Sequence, residues 1–393
     1  MTEPLASLLQ ASHLLAPEDL AATVATHART LGAGETVLYL ADYEQSMLLP
    51  LPGAGVPERQ GLTIEGTLAG RAFRRVEVVG HAVEHGHRMW VPLLDGVERL
   101  GVAEVLLARP PDGTEQEELR AFLTLVAELV VTKDAYSDVF ARLRRRKTLS
   151  LAAEMQWDLL PPLTFGTERV VITGGLEPAY EIGGDSFDYA INGGMVDLLV
   201  IDAVGHGLPA AVLATVAIGA YRHARRNRLD LPDLAVEINM AIASQLGASQ
   251  FATAVLARLD LDTGRLRWIN AGHPEPLIVR GASLVKPPHC PPSRPLGLQE
   301  RKPVCCETRL EPGDRLVLYT DGITEARSPR GEFFGEQRLA DFISAAVAAG
   351  DPAPETVRRL MRHVLHHQAD QLQDDASIVV LEWRTAAERH LPL

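Results

Sequence analysis

The alternation of apolar and polar positions divides the chain into three stretches of different character. Residues 17–31 (PEDLAATVATHARTL) carry apolar positions at helical spacing. Pro17 suits a first turn, and Glu18 and Asp19 sit near the positive end of the dipole. Strand-like runs follow at 36–42 and 46–51, then a short helix at 66–75. Two more strands, at 89–94 and 100–108, are joined by the turn-like DGVE. Together they predict an α+β module. From Glu115 to about Leu160 the period lengthens. Leu119, Phe122, Val126, Leu129, Tyr136, Phe140 and Leu143 recur at spacings of three, four or seven, as a heptad-like seam on one long helix does. Lys133 and Lys147 fall on the same seam, and the basic run RLRRRK at 142–147 reads as a solvated face. Pro161 and Pro162 stop the helix.

Beyond Pro162 strands dominate, at 169–177, 196–202, 251–261, 265–271, 276–280, 314–320 and 377–383. Helical spacing appears at 208–226, 231–246, 336–348 and 353–367. Asp-Thr-Gly (262–264) and Pro-Gly-Asp (312–314) turns between strands point to antiparallel hairpins rather than βαβ repeats.

Length and composition narrow the function classes. The 393 residues suit two domains, and a net charge of −13 argues against nucleic acid as a general partner. Cys290, Cys305 and Cys306 are odd in number, two are adjacent, and no CxxC pair exists. The expectation is no disulfide framework, no zinc site and a reducing, cytoplasmic compartment. The N-terminus lacks the basic and apolar regions of a signal peptide, and no apolar run is long enough to span a membrane.

Four places put Asp beside glycine or a second acid near a strand end: Gly183-Gly184-Asp185-Ser186-Phe187-Asp188, Asp202-Ala203-Val204-Gly205-His206-Gly207, Asp321-Gly322 and Asp374-Asp375. Singly each reads as a turn. Together, with little Cys and scattered His, they form the oxygen ligand set of a hard cation such as Mg²⁺ or Mn²⁺. Two such ions can clamp a phosphoryl group. Gly183, Gly184, Gly205 and Gly207 supply the tight backbone such carboxylates need.

Residues 163–385 resemble the PP2C-type phosphatases of the SpoIIE/RsbU group. The matching stretches are EIGGDSFD (181–188), DAVGHGLPAAVL (202–213), FATAVLARLDLDTGRLRWINAGHPEPLIVR (251–280), PLGL (295–298), LEPGDRLVLYTDGITEARSPRGEFFG (310–335) and DDASIVVLE (374–382), in the family's order. The resemblance implies an α-β-β-α sandwich of two antiparallel sheets. It implies two divalent cations, Mn²⁺ or Mg²⁺, held by Asp185, Asp202, the Ala203 carbonyl, Asp321 and Asp374. Asp202 would bridge, and Asp375 and Asp188 are weaker candidates. His206 is a candidate substrate contact, and His273 in NAGHPEP is read as packing or loop anchoring. The reaction implied is direct hydrolysis of phosphoserine or phosphothreonine in a protein, without a protein nucleophile. The substrate implied is a phosphorylated STAS-type anti-sigma-factor antagonist.

Residues 17–132 resemble, more loosely, a GAF domain, on the stretches at 62–79, 88–107 and 115–130. A small-molecule ligand or a dimerisation role follows from that resemblance. AAEMQWDLLPP (152–162) resembles the family's lead-in to the phosphatase. The expected organisation is therefore α+β: a GAF-like sensor domain at 1–132, a helical linker at 133–162 continuing from about 115, and the phosphatase domain at 163–385. A homodimer through the linker is expected. The competing readings are a catalytically silent, ligand-gated adaptor and a small-molecule phosphatase.

Overall fold

The computed structural model describes residues 3–177, 179–180, 183–247, 249–369 and 374–384. They form two compact units that divide between Thr148 and Leu149. The expected domain end at 385 lies outside the described residues.

The first unit runs α1 (Glu3–Ser12), α2 (Leu20–Ala28), β1 (Ala33–Ala41), β2 (Met47–Pro50), β3 (Leu62–Thr63), α3 (Leu68–Arg75), β4 (Val79–Val83), β5 (Gly86–Asp95), β6 (Glu98–Leu107), α4 (Gly113–Asp134) and α5 (Val139–Arg144). Its strands form one antiparallel sheet in the order β3-β2-β1-β6-β5-β4. Strand alternation gives the sheet two apolar faces. Leu38, Leu40 and Val91 pack with Leu20, Val24, Phe122, Val126 and Phe140. Val37, Tyr39, Trp90 and Val102 pack with Phe73 on the other side.

The single helix expected over 115–160 is instead three helices. α4 opens on a capping box between Asp112 and Glu115 and ends at Asp134. α5 follows a four-residue break, and α6 (Leu151–Leu159) starts afresh on a Ser150 side-chain cap. The seam is real but serves another end. Leu119, Phe122, Val126, Leu129 and Phe140 all lie in the first unit's own core. A heptad pattern marks a buried stripe without saying what buries it. The basic run is exposed at Arg142, Arg146 and Lys147, as expected of a solvated face, but part of it also makes contacts in the first unit. Asp42 is fully buried and accepts from the Ser46 and Met47 amides at 2.7 and 2.9 Å. Arg146 lies 3.6 Å from its carboxylate and 3.4 Å from Glu44. Arg144 donates to the Ala41 carbonyl at 3.0 Å and stacks on Tyr43.

The second unit continues from α6 with β7 (Thr164–Gly166), β8 (Val170–Glu177), β9 (Asp185–Asn192), β10 (Met195–Ala203), α7 (Leu208–Arg226), α8 (Leu231–Leu246), β11 (Ala252–Asp260), β12 (Arg265–Ala271), β13 (Leu277–Arg280), β14 (Ser283–Val285), β15 (Cys306–Arg309), β16 (Arg315–Tyr319), α9 (Asp321–Thr324), α10 (Gly335–Ala348), α11 (Ala353–His367) and β17 (Ala376–Trp383). Two antiparallel sheets form, β15-β12-β11-β10-β9 and β14-β13-β16-β17-β8-β7. Leu198, Val200, Val255, Trp268, Leu318 and Val379 fill the space between them. The alternate positions Leu199, Ile201 and Leu256 face α7 and α8, while Val317, Tyr319 and Val380 face α10 and α11. The α-β-β-α sandwich is the architecture expected.

One expectation about the cysteines fails. Cys290 and Cys306 form a disulfide, leaving Cys305 as the free cysteine. Their Cα atoms stand 5.7 Å apart, because the pairing of β15 on β12 brings Cys306 under the coil that carries Cys290. Counting parity could not reveal a pair fixed by strand register. No helix among the described residues is long and apolar enough to cross a membrane.

Candidate metal centre

The register of β9 on β10 places Asp185 directly opposite Asp202. Directly opposed residues of an antiparallel pair point to the same face. That face is the inter-sheet one, since Leu198 and Val200 precede Asp202 at the strand period. Both carboxylates therefore sit at the mouth of the sandwich core. On the other side of β10, Asp202 pairs with Thr253. The strand carrying Asp185 was absent from the hydrophobic pattern, because Asp, Ser and Asn dilute its apolar alternation. Asp185 opens its strand rather than closing one.

The second sheet brings the remaining acids. Asp321 opens α9 immediately after β16, and Asp374 and Asp375 immediately precede β17. Their electrostatic effect on the first pair is direct. Asp202 has its carboxyl pushed up to about 7, by burial and then by the charges of Asp321, Asp374 and Asp375. Asp185 is pushed well above the usual carboxylate range by burial and by Asp202. Burial, Glu325 and Asp374 raise Asp321 as well.

Glycine is needed here for close approach. A Cβ on Gly184 would lie 2.3 Å from the Ala203 carbonyl oxygen, and one on Gly322 would lie 1.7 Å from the Asp375 carbonyl oxygen. Gly205 and Gly207 adopt positive φ, 91° and 68°, and carry His206 on an exposed loop. Asp375 has a separate job. Its Oδ2 accepts the amides of Gly183 and Gly184 at 2.6 and 2.8 Å, clamping the segment before Asp185 to the start of β17. Asp374 is exposed, with one oxygen accepting the Asp375 amide at 3.0 Å.

Asp188, a weaker ligand candidate, lies elsewhere. Asp188 is buried and paired with Arg222 and, at 3.5 Å, with Arg225. Three residues along a strand from Asp185, its side chain must point to the opposite face. It is therefore removed from the ligand set. His273 is 6% exposed and its Nδ1 lies 2.7 Å from Thr253 Oγ1. Asn270 grips it from both sides, accepting its amide and donating to its carbonyl, each at 2.8 Å. Burial lowers its pKa to about 4 and keeps it neutral. It is a loop anchor.

Thr320 is the residue that motif reading passed over. It is fully buried, and its hydroxyl donates to Asp185 Oδ2 at 2.6 Å. Its position before Asp321 in the TDG stretch was the available signal.

The donor set fits a hard divalent cation. Among the described residues no Lys or Arg pairs with Asp185, Asp202, Asp321, Asp374 or Asp375 by the ion-pair distances that hold Asp188. The mutual repulsion is unrelieved by protein charge. Among the described residues, however, no three acidic, His or Cys side chains converge tightly enough to form a finished cage. The carboxylates are gathered but not closed around an ion.

Comparison with known proteins bears on the family and the fold. Residues 192–384 match the family described as Stage II sporulation protein E (SpoIIE), a span that holds Asp202, Asp321 and Asp374. Protein IcfG of Synechocystis is 30% identical over 148 residues, covering 37% of this chain and 23% of that protein. Phosphoserine phosphatase RsbU of Bacillus subtilis is 25% identical over 248 residues, covering 60% of this chain and 70% of its own length. The SiaA-PP2C domain of Pseudomonas aeruginosa superposes with a TM-score of 0.51 at 24% identity, over 60% of this chain and 94% of that domain. That likeness concerns the fold. Residues 192–384 thus match the SpoIIE family, and the second unit has the fold of the PP2C phosphatase domains.

Proposed function

We propose that the protein is a divalent-cation-dependent phosphoserine/phosphothreonine protein phosphatase. The observation that carries the reading is the Asp185–Asp202 pair, opposed in register at the mouth of a sandwich that matches the SpoIIE family and unneutralised by any described cation. Asp185, Asp202, the Ala203 carbonyl, Asp321 and Asp374 would hold two ions, Mn²⁺ or Mg²⁺. Bound there, the ions supply Lewis-acid polarisation of the phosphoryl group and lower the pKa of water. The chain's contribution is placement. β9 and β10 fix two carboxylates by register, α9 and the turn before β17 bring the others, and the apolar core behind them keeps water to one side. His206, on the loop after Asp202, is positioned to meet the substrate.

The test is phosphate release from a phosphoserine peptide with and without Mn²⁺. Wild type should need the metal, and Asp202→Ala and Asp321→Ala should each lose at least about 100-fold. Activity that persists in EDTA, or in both variants, overturns the reading.

Three finer readings extend it. The substrate is a phosphorylated STAS-type anti-sigma-factor antagonist in a cytoplasmic partner-switching pathway, by extension from the family of RsbU. The first unit acts as a GAF-like sensor for a small molecule. Its signal enters through α6, whose Trp157 donates to the Ala179 carbonyl at 2.8 Å, and whose preceding residue, Ser150, donates its amide to the Tyr180 carbonyl at 3.0 Å. Both contacts fall on the segment leading to Asp185. A panel of phosphoproteins, assayed with the full chain and with residues 1–148 deleted, tests all three. A full chain and a deletion variant with equal rates on every substrate would sink sensor control.

A further inference from the structure

We propose that Thr320 is the positioning residue for metal capture: its hydroxyl, itself held by the second sheet, fixes the rotation of the Asp185 carboxylate on the first. The inference rests on the metal-dependent reading above and deepens it.

The argument follows the single proton of a hydroxyl. Thr320 Oγ1 accepts the Ser377 amide at 2.9 Å. A hydroxyl has one proton and two lone pairs, so that accepted bond restricts where its proton can go. It goes to Asp185 Oδ2, 2.6 Å away. The Thr320 backbone is held too, since its amide donates to the Ser377 carbonyl at 3.0 Å. Thr320 is thus locked to Ser377 of β17 through two atoms, its amide nitrogen and Oγ1, before it touches Asp185. Asp185 has Asp202 opposite in register, and nothing in that pair favours any one carboxylate rotation, because like charges only repel. The Thr320 bond favours one rotation by occupying Oδ2, with the Ser377 side chain also acting on this carboxylate. The bond also spans the sandwich, joining the second sheet to the first at the level of the acids. Asp375 also ties the sheets at this level, through Gly183 and Gly184, and it holds backbone rather than the carboxylate.

A purely structural role would show as lost stability. A positioning role shows as lost ion affinity that excess ion restores. Replacing the partner that orients a metal ligand typically costs 10–100-fold in affinity. The experiment is isothermal titration of the metal-free full chain with Mn²⁺, for wild type, Thr320→Ser, Thr320→Ala and Thr320→Val, with phosphate release measured against Mn²⁺ concentration. The serine variant keeps the hydroxyl and should bind within about threefold of wild type. Alanine and valine should weaken Mn²⁺ at least about tenfold, while the rate at saturating Mn²⁺ recovers to near the wild-type value. Wild type that binds no Mn²⁺ overturns the phosphatase reading itself. Wild type that binds, with alanine or valine binding equally well, overturns the role of Thr320 alone. Should the alanine and valine variants fail to fold, the serine variant decides: a tenfold loss there assigns the effect to the methyl group and refutes the proposal.

Discussion

Asp185 and Asp202 stand directly opposite one another in an antiparallel strand pair. Like charges in that arrangement destabilise a sheet, and here burial adds to the repulsion. The metal-free fold therefore carries a local conflict that an ion would resolve. Asp202→Asn should raise the melting temperature in EDTA by about 1–3 °C and abolish the further rise on adding Mn²⁺. An asparagine variant that melts below wild type in EDTA would show that the two acids are not in conflict.

The same pair gives the metal-free protein an unusual dependence on pH. The folded carboxyl of Asp202 titrates near 7, against a usual value of 3.8. Between those values the folded state holds a proton that the unfolded chain has released. Stability from this group is thus full at the acid end and lost as pH rises through about 7. Asp185, Asp321 and Asp375 shift in the same direction. Carboxylates moved the other way, such as Asp230, lowered to about 2 by Arg267, act below this window. In EDTA the melting temperature should fall from pH 5.5 to pH 8 by more in wild type than in Asp202→Asn. Mn²⁺ should reverse the trend, because the ion takes the deprotonated form. Identical slopes for the two proteins in EDTA would count against the shift.

Asp188 allows the structural and ligand roles of an acid to be separated. Asp188→Ala leaves Arg222 and Arg225 without their buried partner, which costs about 3 kcal/mol. Chemical denaturation should show that loss, with the Mn²⁺ affinity of the folded protein unchanged. Weakened Mn²⁺ binding at unaltered stability would return Asp188 to the ligand set.

Glycines separate in the same way. Gly322→Ala must displace the Asp375 carbonyl, so it should cost about 1–3 kcal/mol and disturb Mn²⁺ binding. Gly219 lies in α7 with nothing within 4 Å of an added Cβ. Gly219→Ala should be neutral or stabilise by up to about 1 kcal/mol, as helix propensity dictates. Denaturation midpoints of the two variants that did not differ would contradict the close approach at Gly322.

What could be read from the residues, and what could not, follows from the range of each signal. α7, α8 and α11 fall on their expected spans, because period and caps are local. The acids were legible as motifs. That Asp185 faces Asp202, that Asp188 faces away and that Asp375 clamps Gly183 and Gly184 depend on strand register, which lies outside any local window. The Cys290–Cys306 bond was hidden for the same reason. Thr320 was hidden differently: a hydroxyl beside a motif Asp looks like any turn residue until the second sheet is in place.

The helix expected to run from 115 to 160 shows how a correct pattern can serve a different partner. Phe122 and Val126 are fully buried against the sheet of their own unit. Had the seam joined two copies of the chain, these side chains would depend on concentration for their burial. They do not, because Leu20, Leu38, Leu40 and Val91 already cover them. Phe122→Ala should therefore cost about 3–5 kcal/mol, the usual loss for emptying a core site of that size. The loss should appear in the melting of residues 1–148 and be independent of protein concentration. Light scattering should give the same oligomeric state for wild type and variant. A variant that keeps its melting temperature at high concentration but dissociates on dilution would restore the seam to a dimer interface.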